Sequence, residues 1–341
     1  MIAKKPEEWL KVSKNGLFVV PGNFFVDPNT ASDMAVITHA HADHARSGHK
    51  RVISTPETLA IMKVRFGEAF SPSPYGLKYG KKLKINDVII WLAPAGHVLG
   101  SAQIVIEYKG SRVVVSGDYK RQADSTCRPF EVVNCDVFIT EATFGLPVFK
   151  HPKAQIEIKK LLNSIDLFNN RCHVIGTYAL GKAQRVISLL RESGYHQPIF
   201  IHGALRKLCD LYVEHGIDLG ELRPVPDSRI KPGVLDLEGQ IVLAPPSAIA
   251  DRWVRKLGNP VIVMASGWLR IKQRARQRNV DLPLVISDHA DCDELFQTFH
   301  EVAAPEIWVT HGREEAIIHQ AKLEGFKAKA LSLIGYDEES T

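Results

Sequence analysis

The sequence predicts a mixed α/β protein, on three features of its pattern. Short β-branched runs alternate with loops bearing Gly, Asp and His through the first 144 residues. From about residue 153, helix-length amphipathic segments alternate with apolar runs, and near residue 283 the first texture returns. Strands joined by turns, then strands spaced by helices, describe a sheet-rich domain interrupted by a parallel α/β unit. A length of 341 residues has room for two domains, or for one with a large insert.

In the first part the strands fall at Val52-Ile53-Ser54, Val88-Ile89-Ile90-Trp91, Ile104-Val105-Ile106, Val113-Val114-Val115 and Val137-Phe138-Ile139, and Lys109-Gly110 has the character of a hairpin turn. In the second part they fall at His173-Val174-Ile175, Pro198-Ile199-Phe200-Ile201, Ile241-Val242-Leu243 and Val261-Ile262-Val263-Met264. Leu284-Val285-Ile286 and Ile307-Trp308-Val309 each end on a polar loop with a histidine, so the first domain is expected to resume there.

Composition excludes several classes. Hydrophobic residues at 45% and charged residues at 24% are ordinary for a globular chain and rule out a disordered or fibrous one. Met1 to Leu10 lacks the apolar core of a secretory signal, and no apolar stretch approaches the roughly 18 residues of a membrane span. Five scattered cysteines without C-x-x-C spacing indicate neither a disulfide framework nor a thiolate zinc site, and the reducing cytoplasm is expected. The basic excess, 43 Lys and Arg against 38 acids, is small, but its distribution is uneven. Arg252, Arg255, Lys256, Arg270, Lys272, Arg274, Arg276 and Arg278 face only Asp251 over 28 residues, which favours a polyanionic partner; a solvated helix face is the alternative.

The chemistry is concentrated in His39-Ala40-His41-Ala42-Asp43-His44, directly after the apolar run Met34-Ala35-Val36-Ile37. Residues two apart on an extended chain point the same way, so His39 and His41 are expected to share one metal, and Asp43 and His44 to serve a second. Nitrogen and carboxylate ligands without sulfur suit zinc, manganese or iron. His97, Asp118, His289 and His311 each follow an apolar run, where loops carry functional groups. The glycines of Ala95-Gly96-His97-Val98-Leu99-Gly100-Ser101 let the backbone turn close to a metal. Asp118, in Ser116-Gly117-Asp118, is placed to bridge two metals with its two oxygens, and Asp27 to orient a histidine ligand, though an ordinary turn aspartate is the alternative there.

These residues, Asp27, His39-x-His41-x-Asp43-His44, His97 and Asp118, resemble the metallo-β-lactamase superfamily, an αββα sandwich with a dinuclear site at one edge. Glu141 in Thr140-Glu141-Ala142-Thr143, His289 in Ser287-Asp288-His289-Ala290-Asp291 and His311 in Thr310-His311-Gly312 resemble the three late motifs of its β-CASP nucleases. The resemblance implies a metallo-β-lactamase domain from residues 1–144 and 283–341 and a β-CASP cap from residues 145–282. It implies His39, His41 and His97 on one ion, Asp43, His44 and His311 on the other, and Asp118 between them, with zinc or manganese as the metal. Two such ions roughly 3.5 to 4 Å apart activate water and stabilise the oxygens of a displacement at phosphorus. Asp43 then accepts the water proton, His289 resembles the general acid, and Glu141 resembles the carboxylate that holds it and raises its pKa.

The cap brings a strand-to-helix turn, Gly176 to Gln184, whose match to the family makes Lys182 a backbone contact; otherwise it is a plain helix start. Ser266-Gly267-Trp268 follows the strand ending at Met264, and with Arg270 and Lys272 completes the expected substrate contacts; Trp268 either stacks on a base or sits in the core. A lactamase or thioester hydrolase has no use for Glu141, His289 and the insert, and a metal-dead scaffold would have lost ligands. His311 leans towards RNA-processing members. The end at Thr341, lacking the extensions of ribonuclease J or of mRNA 3′-end processing endonucleases, and the wording Ile37-Thr38-His39-Ala40-His41-Ala42-Asp43-His44-Ala45-Arg46 lean towards bacterial ligase-associated DNA exonucleases. The expectation is a DNA exonuclease, 5′ to 3′ by analogy with related branches, acting on single-stranded or frayed ends in DNA repair beside a ligase and a helicase, with an RNA-processing ribonuclease as the alternative.

Overall fold

The computed structural model describes residues 4–226 and 237–334. The chain divides into two compact units, Met1–Pro147 with His289–Thr341, and Val148–Asp288.

The first unit holds two mixed sheets. One has six strands in chain order, Leu10–Ser13, Gly16–Val19, Phe24–Val26, Met34–Val36, Arg51–Ser54 and Ser73–Gly76, antiparallel through the third and parallel beyond it. The other runs Lys327–Ala330, Glu306–Gly312, Val137–Ala142, Ser111–Val115, Ala102–Tyr108, Val88–Pro94 and Leu83–Ile85. Its central hairpin pairs Tyr108 with Ser111, and both turn residues, Lys109 and Gly110, take positive φ, as a two-residue turn matched to strand twist requires. Alternation along these strands sends Val19, Phe24, Val36 and Ile53 from one sheet, and Leu92, Ile104, Val113, Ile139 and Trp308 from the other, into one shared buried core. The opposite face of the second sheet is closed by Leu295, Phe299 and Val302 of the helix Cys292–Val302 and by Ile317 and Ala321 of the helix Glu314–Leu323.

The helix Pro56–Phe66 falls in the part whose sequence texture reads as strands and loops. Its signal is nonetheless local: Thr55 caps it by accepting the Thr58 N–H at 3.1 Å, and Pro56 occupies the first turn, where a missing N–H costs nothing. It buries Ile61 and Met62.

The second unit is built on one parallel six-stranded sheet, ordered Leu222–Pro224, Ile199–Ile201, Ile241–Ala244, His173–Gly176, Val261–Ala265 and Leu282–Leu284. These strands read as apolar runs because both sheet faces are covered. Leu282–Leu284 pairs with Val263–Ala265, so the chain as far as Asp288 goes with this unit, and the sequence boundary at residue 283 moves to His289. Among the described residues no helix is long and apolar enough to cross a membrane.

Candidate metal centre

The histidine motif does not continue a strand. The strand Met34–Val36 ends three residues before His39, and the motif turns instead: His44 N–H and Ala45 N–H both donate to the His41 carbonyl, at 3.2 and 2.8 Å. His39 and His41 do come together, but by a loop and not by the alternation of an extended chain. What gathers the imidazoles is a tight loop pinned from outside, for Arg65 of the helix Pro56–Phe66 donates from Nη1 to the Ala40 carbonyl between them.

Two groups of ligand-type atoms converge there. His39, His41, His97 and Asp118 form one, and His44, Asp118 and His311 the other. In the first, His41 Nδ1 lies 3.1 Å from His39 Nε2 and 3.0 Å from His97 Nε2, while Asp118 Oδ2 is 3.4 Å from His39 Nε2 and 3.8 Å from His97 Nε2. In the second, the same Asp118 Oδ2 is 3.4 Å from His44 Nε2, and the His311 ring centres 5.1 Å from that of His44. Asp43 belongs to neither group: its side chain is 74% exposed, with Oδ2 3.9 Å from His44 Nε2. His97 is held by its own loop, where the Ser101 hydroxyl accepts the backbone N–H of His97 at 3.0 Å and of Val98 at 3.1 Å. Gly96 makes that loop possible, because at its φ of 74° a Cβ would stand 2.4 Å from the Lys120 carbonyl oxygen.

Two further carboxylates support the imidazoles. Asp27, at a φ of 42°, accepts the Thr38 N–H at 2.8 Å and His44 Nδ1–H at 2.8 Å. Glu141 is buried at the end of the strand Val137–Ala142, accepts the Tyr119 N–H at 2.8 Å, and lies 2.9 and 3.1 Å from His289 Nδ1 through its two oxygens. Glu141 and His289 also group with Asp118, which thus belongs to all three clusters.

Burial and neighbours sort the charges. Burial, aided by the His44 charge, holds His39 below the ordinary imidazole range against the pull of Asp118; burial and the surrounding histidines hold His97 further below it. Burial opposes a proton on His44, but Asp118 and Asp27 override it and push His44 well above that range. Burial would likewise raise Asp118, yet His44, His289 and the adjacent His39 ring keep it well below the usual carboxylate range. His39 and His97 are thus held neutral and Asp118 ionised, the forms that bind metals, whereas His44 would have to give up its proton to an ion; the largely buried set of three nitrogens and one oxygen without sulfur fits zinc or manganese.

In the second unit Lys182 begins the helix Lys182–Glu192, with Gln184 accepting the Gly181 N–H at 2.8 Å. Its ammonium is engaged within the protein. It is buried, donating to the Ile286 carbonyl at 2.9 Å and paired with Asp288 Oδ2 at 2.9 Å, beside Arg185, which donates to the Ser287 carbonyl at 2.8 Å. Both cations thus hold residues 286–288. Ser266 accepts the Trp268 N–H at 3.3 Å and Gly267 is buried. Trp268 is half-buried, edge-on to Phe149 and covered by the Arg274 guanidinium 4.4 Å from its ring, whereas Arg270 and Lys272 are exposed. Thr38, quoted in the sequence only as part of the motif's wording, and Arg65, in no motif read there, both touch the site directly; neither was singled out because their role is contact and not spacing.

No family model matches the chain. It is 25% identical over 334 residues to a protein of Opitutus terrae called a probable DNA ligase, covering 95% of this chain and 31% of that protein. It is 31% identical over 146 residues to an uncharacterized protein in the lig 3′ region of Acidianus ambivalens, covering 42% of this chain and 99% of that one. It is 31% identical over 240 residues to the endoribonuclease YSH1 of Gibberella zeae, covering 58% of this chain and 28% of that one. The chain thus spans less than a third of the ligase and of the endoribonuclease. Together with the histidine and aspartate site, these likenesses point to one family. The chain belongs to the β-CASP nucleases of the metallo-β-lactamase superfamily.

Proposed function

We propose that this chain is a metal-dependent DNA exonuclease, hydrolysing phosphodiester bonds from 5′ to 3′ on single-stranded or frayed ends, with an αββα sandwich carrying the site and residues 148–288 as its β-CASP cap. The observation that carries hydrolysis is the convergence of three side-chain groups on Asp118. His39, His41 and His97 would hold one zinc or manganese ion, His44 and His311 a second, and Asp118 both. When bound, such ions supply a water of lowered pKa and offset the charge of a phosphate. Asp43, at the open rim, is the carboxylate that takes the water proton. His289 gives a proton to the leaving oxygen from Nε2, because Nδ1 is committed to Glu141. Asp27 fixes His44 from behind.

DNA is favoured because the likeness to the probable DNA ligase runs along 95% of the chain, whereas the endoribonuclease likeness covers 58%. A ligase, with a helicase, is accordingly the proposed partner in cytoplasmic DNA repair. The second reading, an RNA-processing nuclease, rests on the endoribonuclease likeness. Purified protein is to be given 5′- and 3′-labelled single-stranded DNA and RNA of one sequence with zinc, manganese and magnesium in turn. Mononucleotides released progressively from the 5′ end of DNA are expected. Preferential cutting of the RNA would transfer the assignment to the second reading.

A further inference from the structure

Thr38 has no place in the ligand set, yet its few atoms touch one histidine of each group and the carboxylate behind them. Its N–H donates to Asp27 Oδ1 at 2.8 Å and its carbonyl accepts the Ala102 N–H at 2.9 Å. Its hydroxyl lies 2.6 Å from Asp27 Oδ2, 3.1 Å from His39 Nδ1 and 3.5 Å from His44 Nδ1. Gly117, next to Asp118, approaches so closely that a Cβ there would stand 2.7 Å from Thr38 Cβ. Thr38 is fully buried.

One hydroxyl has one proton to give, and a carboxylate can only accept. At 2.6 Å the Thr38 proton belongs to Asp27 Oδ2, so towards His39 the hydroxyl oxygen can only accept, and His39 must carry its proton on Nδ1. The same Oδ2 faces His44 Nδ1 at 2.8 Å and requires a proton there too. Both histidines are then left with Nε2 directed at Asp118 Oδ2, 3.4 Å away in each case.

We propose that Thr38 is a positioning residue that sets the tautomer of His39 directly and, by holding Asp27, that of His44, so that one imidazole in each group presents an Nε2 lone pair. The inference rests on reading the two groups as metal sites, and it adds that they share one hydroxyl switch. Losing a group that orients a ligand typically weakens metal binding 10–100-fold.

The test uses the full chain with zinc, measured by competition against a chromophoric chelator, and ¹⁵N-histidine labelling to read which ring nitrogen of His39 is protonated. In the zinc-free wild type His39 is expected to be protonated at Nδ1. Thr38→Val is expected to weaken the tighter-coupled His39 group 10–100-fold with a smaller loss at the His44 group, and Asp27→Asn to reverse that order. Thr38→Ser, which keeps the hydroxyl, is expected to restore wild-type affinity. The proposal is overturned if His39 is protonated at Nε2, if Thr38→Val binds zinc as the wild type does, or if Thr38→Ser is as weak as Thr38→Val, which would leave only packing against Gly117. Should Thr38→Val fail to fold, the wild-type tautomer and the serine variant still decide. A wild type that binds no zinc would sink the metal reading instead, and the tautomer of His39 would remain a separate answer about Thr38.

Discussion

Asp118 and His289 lie in the same cluster but carry different proposed roles, and single substitutions separate them. Asp118 Oδ2 is within 3.8 Å of three imidazole nitrogens from both ligand groups, so Asp118→Ala is expected to abolish tight binding at both together, checked by elemental analysis after dialysis. One ion retained at full occupancy would mean that the carboxylate does not serve both. His289, by contrast, spends Nδ1 on Glu141. His289→Ala is expected to keep the full metal content while cleavage slows by about 10²–10⁴-fold and the alkaline limb of the pH–rate profile disappears. Loss of a metal equivalent in that variant would make His289 a ligand. At this scale the histidines and Asp118 were legible, because chemistry restricts which residue types serve. The partner of Lys182 was not legible, since nothing in Gly181-Lys182-Ala183 announces a buried carboxylate at Asp288, 106 positions on.

Elements were legible where burial imposes a period, and illegible where the backbone works by contact. The apolar runs ended up as strands, but Leu282–Leu284 joined the neighbouring unit's sheet, since an apolar run records burial and not which sheet provides it. The turn of the histidine motif, pinned by Arg65, went unread for the same reason, whereas the helix that carries Arg65 was missed despite the local Thr55-Pro56 start. The end of the strand Glu306–Gly312 shows such a contact most sharply. His311 there takes a φ of 56° and Gly312 a φ of 102°, and a Cβ on Gly312 would stand 2.2 Å from the Ala142 carbonyl oxygen. That oxygen also accepts the N–H of Gly145 and of Arg313, so it has little freedom to move. Gly312→Ala is therefore expected to destabilise the fold by roughly 1–3 kcal/mol and to displace His311. Thermal unfolding with metal analysis should show a lowered midpoint and loss of the His44–His311 ion ahead of the other. Equal loss of both would place the damage in the whole unit.

Across the whole molecule, charge is divided between the two units by task. The first unit concentrates buried histidines and carboxylates around Asp118, whereas the second presents exposed cations, Arg252, Arg255, Arg270, Lys272, Arg274, Arg276 and Arg278, on or beside the short helices Arg252–Arg255 and Lys272–Gln277. Arg274 is partly occupied with Trp268, and Arg278 reaches Met264 Sδ at 3.5 Å, which leaves Arg270, Lys272 and Arg276 as the cleaner probes of a phosphate-binding surface. A single-stranded polyanion releases counterions on binding, and log affinity falls with log salt by about 0.7 for each phosphate contact. Reversing these three residues to glutamate is thus expected to lower that slope by about 2 and to weaken binding to every DNA sequence alike. Metal content and the thermal midpoint should stay as in the wild type, because none of the three side chains is buried. Fluorescence anisotropy of a labelled oligonucleotide over a salt series reads the slope directly. A triple variant with the wild-type slope and wild-type degradation would make this stripe an ordinary solvated face and send the search for the phosphate contacts elsewhere on the chain.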